Sequence, residues 1–245
     1  MFRSTLKRIA HGAGFAVVSR AHAGLPFLEH PPQTAFDLVL LHCFPSLQGL
    51  NFLQIGANDG QRADPLTSYL ESCAWSGLMF EPLQSNHAAL THRHRGNPRL
   101  QIRQAAVDLT GGQRTMYDLD HLSHPALPDW AHGLGSFSRE RVLTAARELR
   151  LPDSAVIEQE ISTVGWNEVW LEFGDRRCDL LVLDTEGYDL VLLRQADLGQ
   201  HRPRLIHFEH ACANADDRIL FYRELIDLGY ELATDGPDTT AWLKS

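Results

Sequence analysis

"NFLQIGANDGQ", Asn51 to Gln61, is an apolar run that stops abruptly in Gly-Ala-Asn-Asp-Gly. A short apolar run bounded by turn residues predicts a strand buried on both faces, as in a parallel sheet. The turn has a physical purpose. Gly56 lets the backbone reverse without a Cβ, and Gly60 would let a ligand approach closely. Asn58 and Asp59 tolerate the tight conformation and offer polar atoms. Strand, glycine turn and helix is how an open α/β sheet binds a nucleotide-like ligand at its carboxyl edge.

Downstream of this unit the chain keeps alternating strand and helix. "SGLMFEP" (76–82) predicts a second strand, and "SNHAALTHRHR" (85–95) a helix capped by Ser85 or Asn86. "RLQIRQAAV" (99–107) predicts a third strand. "GGQRTMYDLD" (111–120) and "AVIEQEISTV" (155–164) read as extra strands around a helix at 136–150, capped by Ser136 or Ser138. "CDLLVLDTEG" (178–187) is another buried strand, and "RLIHFEH" (204–210) the fifth parallel one. A helix over 215–229 carries Ile219, Leu220, Tyr222, Leu225, Ile226 and Leu228 as its apolar face. "YELATD" and "TTAWLKS" close the chain as two antiparallel edge strands. This order predicts an α/β three-layer sandwich with a mainly parallel sheet. Residues 1–49 form a helical lead-in packed on a single domain over 50–245.

The 245 residues, 44% hydrophobic and 22% charged, are enough to bury a large core. A net charge of −9 argues against nucleic acid as a partner. Cys43, Cys73, Cys178 and Cys212 form no CxxC pair, so neither a zinc ribbon nor a disulfide framework is expected, and a cytoplasmic protein with reduced thiols is the simplest reading. Thirteen histidines are scattered without metal-ligand spacing. Residues 1–22 carry Arg3, Lys7, Arg8 and Arg20 and no acid. They read as an amphipathic helix with Phe2, Leu6, Ile9 and Val17 on one face, rather than as a signal peptide. Its first role is packing on the domain; weak contact with the inner membrane surface is the second. No apolar run is long enough to span a bilayer.

Three features point to the ligand. A phosphate-binding loop aims bare N–H groups at its anion, and Asp59 would repel one, so the loop suits a sulfonium and ammonium compound, S-adenosylmethionine, better than NAD. Glu81, 21 residues after Gly60 at the end of the second strand, is placed to accept both ribose hydroxyls. Asp184 ends the strand Leu180–Leu183, with Glu186 two residues on, which puts two carboxylates where a substrate should react. An isolated Asp-x-Glu would more often be a helix cap and a solvated side chain.

"LQIGANDG", "FEP", "AAV" and "LVLDTEGYDLVLLRQA" together resemble the FkbM family of S-adenosylmethionine-dependent methyltransferases, over about residues 50–210. "GLGSFSRERV" is similar to a serine-containing segment of that family, while "STVGWNEV" departs from its usual Thr-Leu-Asp wording. The resemblance implies a class I methyltransferase (Rossmann-like) fold, with a seven-stranded sheet whose last strand is antiparallel. It implies O-methylation of a hydroxyl on a sugar, glycan or secondary metabolite. By position, Gly56, Ala57, Asn58, Asp59 and Gly60 would line the methionine end of the cofactor, Glu81 and Pro82 the ribose, and Ala106 and Val107 the adenine, with Ser136 nearby. Asp184 and Glu186 would face the transferred methyl and the acceptor.

An alcohol acceptor must lose its proton, so the expected base is Asp184, then Glu186, then His210 at the end of the fifth strand. A magnesium-assisted variant would draw on Asp184, Glu186 and Glu209, but no third ligand is set by spacing and no metal is assigned. His207 and His210 cannot face one side of an extended strand. Loops 61–65 and 118–137 should shape the acceptor pocket, with Trp130 as its lid. Trp166 and Trp170, four apart on a helix, read as core, and "THRHRGNPR" (91–99) as a solvated basic face. The rival readings are an NAD-dependent oxidoreductase, which would want GxGxxG where this chain has GANDG, and a non-catalytic module that keeps the fold to bind a partner.

Overall fold

The computed structural model describes residues 33–243 except 122, 125 and the side chain of 129. The helix expected over residues 1–22, and the membrane contact resting on it, lie outside them. Among the described residues no helix is long and apolar enough to cross a membrane.

Helix α1 (Ala35–Cys43) opens with a capping box in which the Thr34 hydroxyl accepts from Asp37 N and the Asp37 carboxylate accepts from Thr34 N. Then follow β1 (Asn51–Ile55), α2 (Thr67–Ser72), β2 (Ser76–Phe80), α3 (Gln84–Arg93), β3 (Leu100–Arg103), β4 (Ala106–Asp108) and β5 (Gly112–Leu119). A 3₁₀ turn (Asp129–Gly133) leads to α4 (Arg139–Glu148), β6 (Val156–Gly165), α5 (Trp166–Phe173), β7 (Leu180–Leu183), α6 (Asp189–Gln195) and α7 (Leu198–His201). The chain ends in β8 (Leu205–Glu209), α8 (Ala215–Asp227), β9 (Tyr230–Asp235) and β10 (Asp238–Leu243).

The main sheet has seven strands in the order β3-β2-β1-β7-β8-β10-β9. The first five are parallel and β10 runs antiparallel to both its neighbours. Alternation sends Leu53, Ile55, Leu181 and Leu183 into the core on one face, and Phe52, Leu180 and Val182 into the core beneath α1 on the other. Strand order reverses between β1 and β7, so a crevice opens at their carboxyl ends.

Four expectations change. Residues 99–107 are two strands, not one. Leu100–Arg103 lies at the sheet edge with alternate residues half-buried, whereas Ala106–Asp108 is wholly buried and leaves to pair with β6. Ala105, Ala106 and Val107 are apolar and fully buried there, where β4 pairs with β6. It joins β5 and β6 in a second, three-stranded sheet, so the two extra strands belong to a layer outside the main sheet. At the C-terminus only β9 is an edge; β10, with Thr239, Thr240 and Ala241 buried, inserts between β8 and β9. Helix α8 buries Phe221 and Leu225 and leaves Ile219, Leu220 and Ile226 exposed. Neither Ser85 nor Asn86 caps α3, whose N-cap is Leu83, whereas Ser138 does cap α4 through Arg141 N.

The expected core tryptophans behave so. Trp166 and Trp170 stack at 5.6 Å and donate their indole N–H groups to Leu192 O and Ala196 O. Residues 91–99 form an exposed or half-exposed face.

Candidate active site

The crevice is a cavity of about 480 Å³. Gly56 begins it with φ +78°, and a Cβ there would lie 1.8 Å from the Asp184 carbonyl oxygen. Only glycine lets the β1 turn pass so close to the end of β7. Gly56 N and Ala57 N both donate to Phe80 O, which binds the turn to β2. Asn58 sits in the left-handed region at φ +48°, which its side chain tolerates.

Glu81 is the pivot of one end. It is 4% exposed, its Oε2 accepts from Asn58 N at 2.8 Å, and its Oε1 accepts from Leu83 N at 2.9 Å. The carboxylate therefore joins the β1 and β2 turns before any ligand arrives. Burial raises its pKa to about 7 against the pull of those two N–H groups. Next to it Leu83, Ala105, Ala106, Val107 and Met116 make an apolar slot. Ala106 and Val107 thus reach the cavity from the second sheet, not from the end of the third strand.

Two expected cofactor residues are turned elsewhere. Asp59 Oδ1 accepts from Gln61 N and Arg62 N, its Oδ2 pairs with Arg62 at 3.1 Å, and it does not border the cavity. Gly60, at φ +71°, makes room for α3: a Cβ would lie 2.6 Å from Leu90 Cδ1. Both shape the turn from behind. Ala57 borders only a smaller adjoining chamber.

At the other end the carboxylates crowd. Asp184 is solvent-exposed at the open crevice yet ringed by protein atoms, and no hydrogen bond or ion pair holds its carboxylate among the described residues. Burial, then Glu186, Asp189, Glu209 and Asp238, push its pKa well above the usual range. Glu186, at φ +51°, accepts from Arg141 Nη2 at 2.7 Å. Burial raises Glu186 to about 7, with Arg141 opposing and Glu209 adding to the rise. Neither Asp184 nor Glu186 caps α6, which has no side-chain cap; Asp189 holds the loop instead, its Oδ2 accepting from Thr185 N and Oγ1. Burial raises Asp189 to about 7 as well. Ligand atoms of Glu186, Glu209 and Cys212 lie within 4.8 Å of one another, the one such group among the described residues.

The segment 130–141 walls the far side. Ser136, 2% exposed, donates to Glu186 O at 3.0 Å and ties this segment to the β7 loop. Gly133 passes so close to Asn58 that a Cβ would lie 2.3 Å from its Nδ2. Trp130, 49% exposed, and Phe137 border the cavity, as do Arg62 and Ala63 of the other expected loop. His210 does not. Its Nδ1 is hydrogen-bonded to Thr239 Oγ1 at 2.9 Å, and it borders neither the cavity nor the chamber. Arg141, Tyr188 and Glu209 complete the acidic end. No local pattern singles out Arg141 or Tyr188, which reach the site from α4 and from the loop before α6.

The sheet order, the inserted antiparallel β10 and a carboxyl-edge crevice define a class I methyltransferase-type α/β protein. A family model described as the methyltransferase FkbM domain matches residues 54–232, and the chain belongs to this family of S-adenosylmethionine-dependent methyltransferases. No curated protein sequence matches it. Among solved structures, it is similar to methyltransferase FkbM from Methylobacillus flagellatus KT (14% identity, TM-score 0.49, 93% of this chain and 48% of that one). The chain thus spans about half the length of that protein. It is also similar to precorrin-6y C5,15-methyltransferase from Geobacter metallireducens GS-15 (13% identity, TM-score 0.40, 84% and 86%). A third is Aeropyrum pernix fibrillarin with natively bound S-adenosyl-L-methionine (12% identity, TM-score 0.39, 83% and 71%).

Proposed function

We propose that this protein transfers a methyl group from S-adenosylmethionine to a hydroxyl oxygen of a small-molecule or sugar acceptor. The observation that carries the reading is the pairing of a locked carboxylate with an unpartnered one across a single cavity, Glu81 at one end and Asp184 at the other. Glu81 keeps acceptor capacity for both ribose hydroxyls. The apolar slot of Ala106 and Val107, with Pro82 and Leu83 beside it, suits an adenine ring. Gly56 and Asn58 would border the methionine end, with Ala57, Asp59 and Gly60 supporting the turn from behind.

When bound, the cofactor supplies a methyl carbon already activated by a sulfonium, so alignment carries much of the work left to the protein. Asp184, in its ionised form, orients the acceptor hydroxyl and takes its proton, and the burial and neighbouring acids that raise its pKa make it a stronger base. Glu186, held by Arg141, orients rather than deprotonates. Ser136 fixes the far wall, and Trp130 and Phe137 limit water at the mouth. No metal is assigned a part, so turnover should persist in EDTA.

Calorimetry with S-adenosylmethionine, S-adenosylhomocysteine and NAD tests the cofactor: the first two should bind and NAD should not. Incubation of a methyl-labelled cofactor with sugars and small-molecule extracts, followed by carbon NMR, should then place the label on oxygen. Label on nitrogen or carbon would sink the O-methyl assignment.

A further inference from the structure

Beside the main cavity lies a chamber of about 160 Å³ that shares Gly56, Asn58, Asp184 and Glu186 with it and extends past them to Gln54, Asp64 and Asp238. Strand register builds it. Gln54, Val182, His207 and Thr240 are successive partners across β1, β7, β8 and β10, so they form one row. Two residues along, on the same face, stand Asp184 and Glu209, and Glu209 pairs with Asp238. Three carboxylates from three adjacent strands therefore meet at one rim, and Asp64 closes the chamber from the loop after β1.

The wall is rich in acceptors and short of donors. Gln54 is 3% exposed; its Nε2 donates to Asp64 Oδ1 at 3.1 Å, and its Oε1 has no partner. Asp64 Oδ2 and Glu209 Oε2 are also buried without a partner. Buried acceptors normally find donors, and all three of these belong to residues that line this one chamber. Of the nearby cations, Arg62 pairs with Asp59 at 3.1 Å, and Arg141, which does not line the chamber, pairs with Glu186 at 2.7 Å and also feels Glu209, its Nε buried without a partner. His207 bonds to Thr240 through Nδ1, and burial lowers its pKa to about 4, so it adds no charge at neutral pH. Burial and neighbouring acids hold Asp64 and Asp238 at about 6.

The spread of these oxygens identifies the ligand class. A small divalent ion needs its ligands to converge on one point. The convergent group here is Glu186, Glu209 and Cys212; Asp64, Asp184 and Asp238 are not part of it. Separated acceptors fit a compact organic cation whose N–H and O–H groups point in several directions.

We propose that this chamber is a subsite for a protonated amine carried by the acceptor, which makes the acceptor an amino alcohol such as an amine-bearing sugar. The proposal deepens the methyl-transfer reading and rests on it for the acceptor's role. The test is calorimetric titration of the full chain, saturated with S-adenosylhomocysteine, using methyl glucosaminide and methyl glucoside as probes. The amine should bind roughly tenfold tighter than the neutral sugar. That preference should vanish in Asp64→Asn and Asp238→Asn, both still binding S-adenosylhomocysteine. Equal binding of the two sugars overturns the proposal. So does competition between the glucosaminide and S-adenosylhomocysteine, which would give the chamber to the cofactor's own ammonium group. Tight magnesium binding that is lost in the same variants overturns it in favour of a metal. If S-adenosylhomocysteine does not bind at all, the methyl-transfer reading fails instead, and the amine preference is decided on the ligand-free chain.

Discussion

The two ends of the cavity treat a carboxylate in opposite ways. Glu81 gives one oxygen to each of two backbone N–H groups, so its position is settled before a ligand arrives. Asp184 has no such anchor and is surrounded by other acids. A group that binds gains from being held still. A group that takes a proton gains from surroundings that make its charge costly. On the proposed function, the contrast would put recognition on the β2 side and proton chemistry on the β7 side.

The largest expected effect breaks the proton end. Asp184→Asn should lower kcat roughly 100-fold to 10,000-fold, the usual range for loss of a positioned base. Its affinity for S-adenosylhomocysteine should stay close to the parent's. Calorimetry showing lost affinity with unchanged turnover would reverse the two roles.

Gly56→Ala strikes the hinge between the ends. The added Cβ meets the Asp184 carbonyl at 1.8 Å, on a backbone of φ +78° that side chains rarely adopt. Destabilisation of about 3 kcal/mol is expected from strain and overpacking together. Denaturant unfolding measures it.

Glu81→Gln breaks the recognition end. An amide can accept from one of the two backbone N–H groups but turns its own NH₂ toward the other. Affinity for S-adenosylhomocysteine should fall roughly tenfold to a hundredfold. Circular dichroism should show the fold retained, and an unchanged affinity would remove Glu81 from the ribose.

The smallest effect concerns both ends at once. Asp64 and Asp238 at about 6, and Glu81, Glu186 and Asp189 at about 7, keep protons in the folded chain after the unfolded chain has released them. Their ordinary values are 3.8 for Asp and 4.5 for Glu. Between those values and about 7 the folded state binds more protons, so stability of the ligand-free protein falls as pH rises. Tm should be several degrees higher near pH 5.5 than near pH 8. A saturating amine probe, by neutralising the chamber, should flatten that slope.

The apolar runs of β1, β2, β7 and β8 could be read directly, because a strand buried on both faces has little choice but to be continuously apolar. The polar residues that end those runs, Gly56, Asn58, Glu81 and Asp184, were legible for the same reason: a strand's carboxyl end is where the apolar run stops. What happens beyond that edge was not. Asp59 has the same local credentials as Asp184, yet its oxygens are taken by Gln61 N, Arg62 N and the Arg62 side chain. Local turn bonding competes with ligand binding, and its outcome depends on backbone geometry that composition does not encode.

His210 ends a strand as Asp184 does, but its ring is hydrogen-bonded to Thr239, away from the cavity. The division of residues 99–107 between two sheets, the reach of Arg141 from α4 to Glu186, and the row Asp184–Glu209–Asp238 all depend on strand register and helix placement. By itself the sequence determined the alternation of strands and helices, the glycine turn and the family, since these follow from local periodicity and from residues that only certain backbone shapes accept. Tertiary structure alone decided which acids border the cavity, because side-chain direction is set by what packs against the opposite face of each strand.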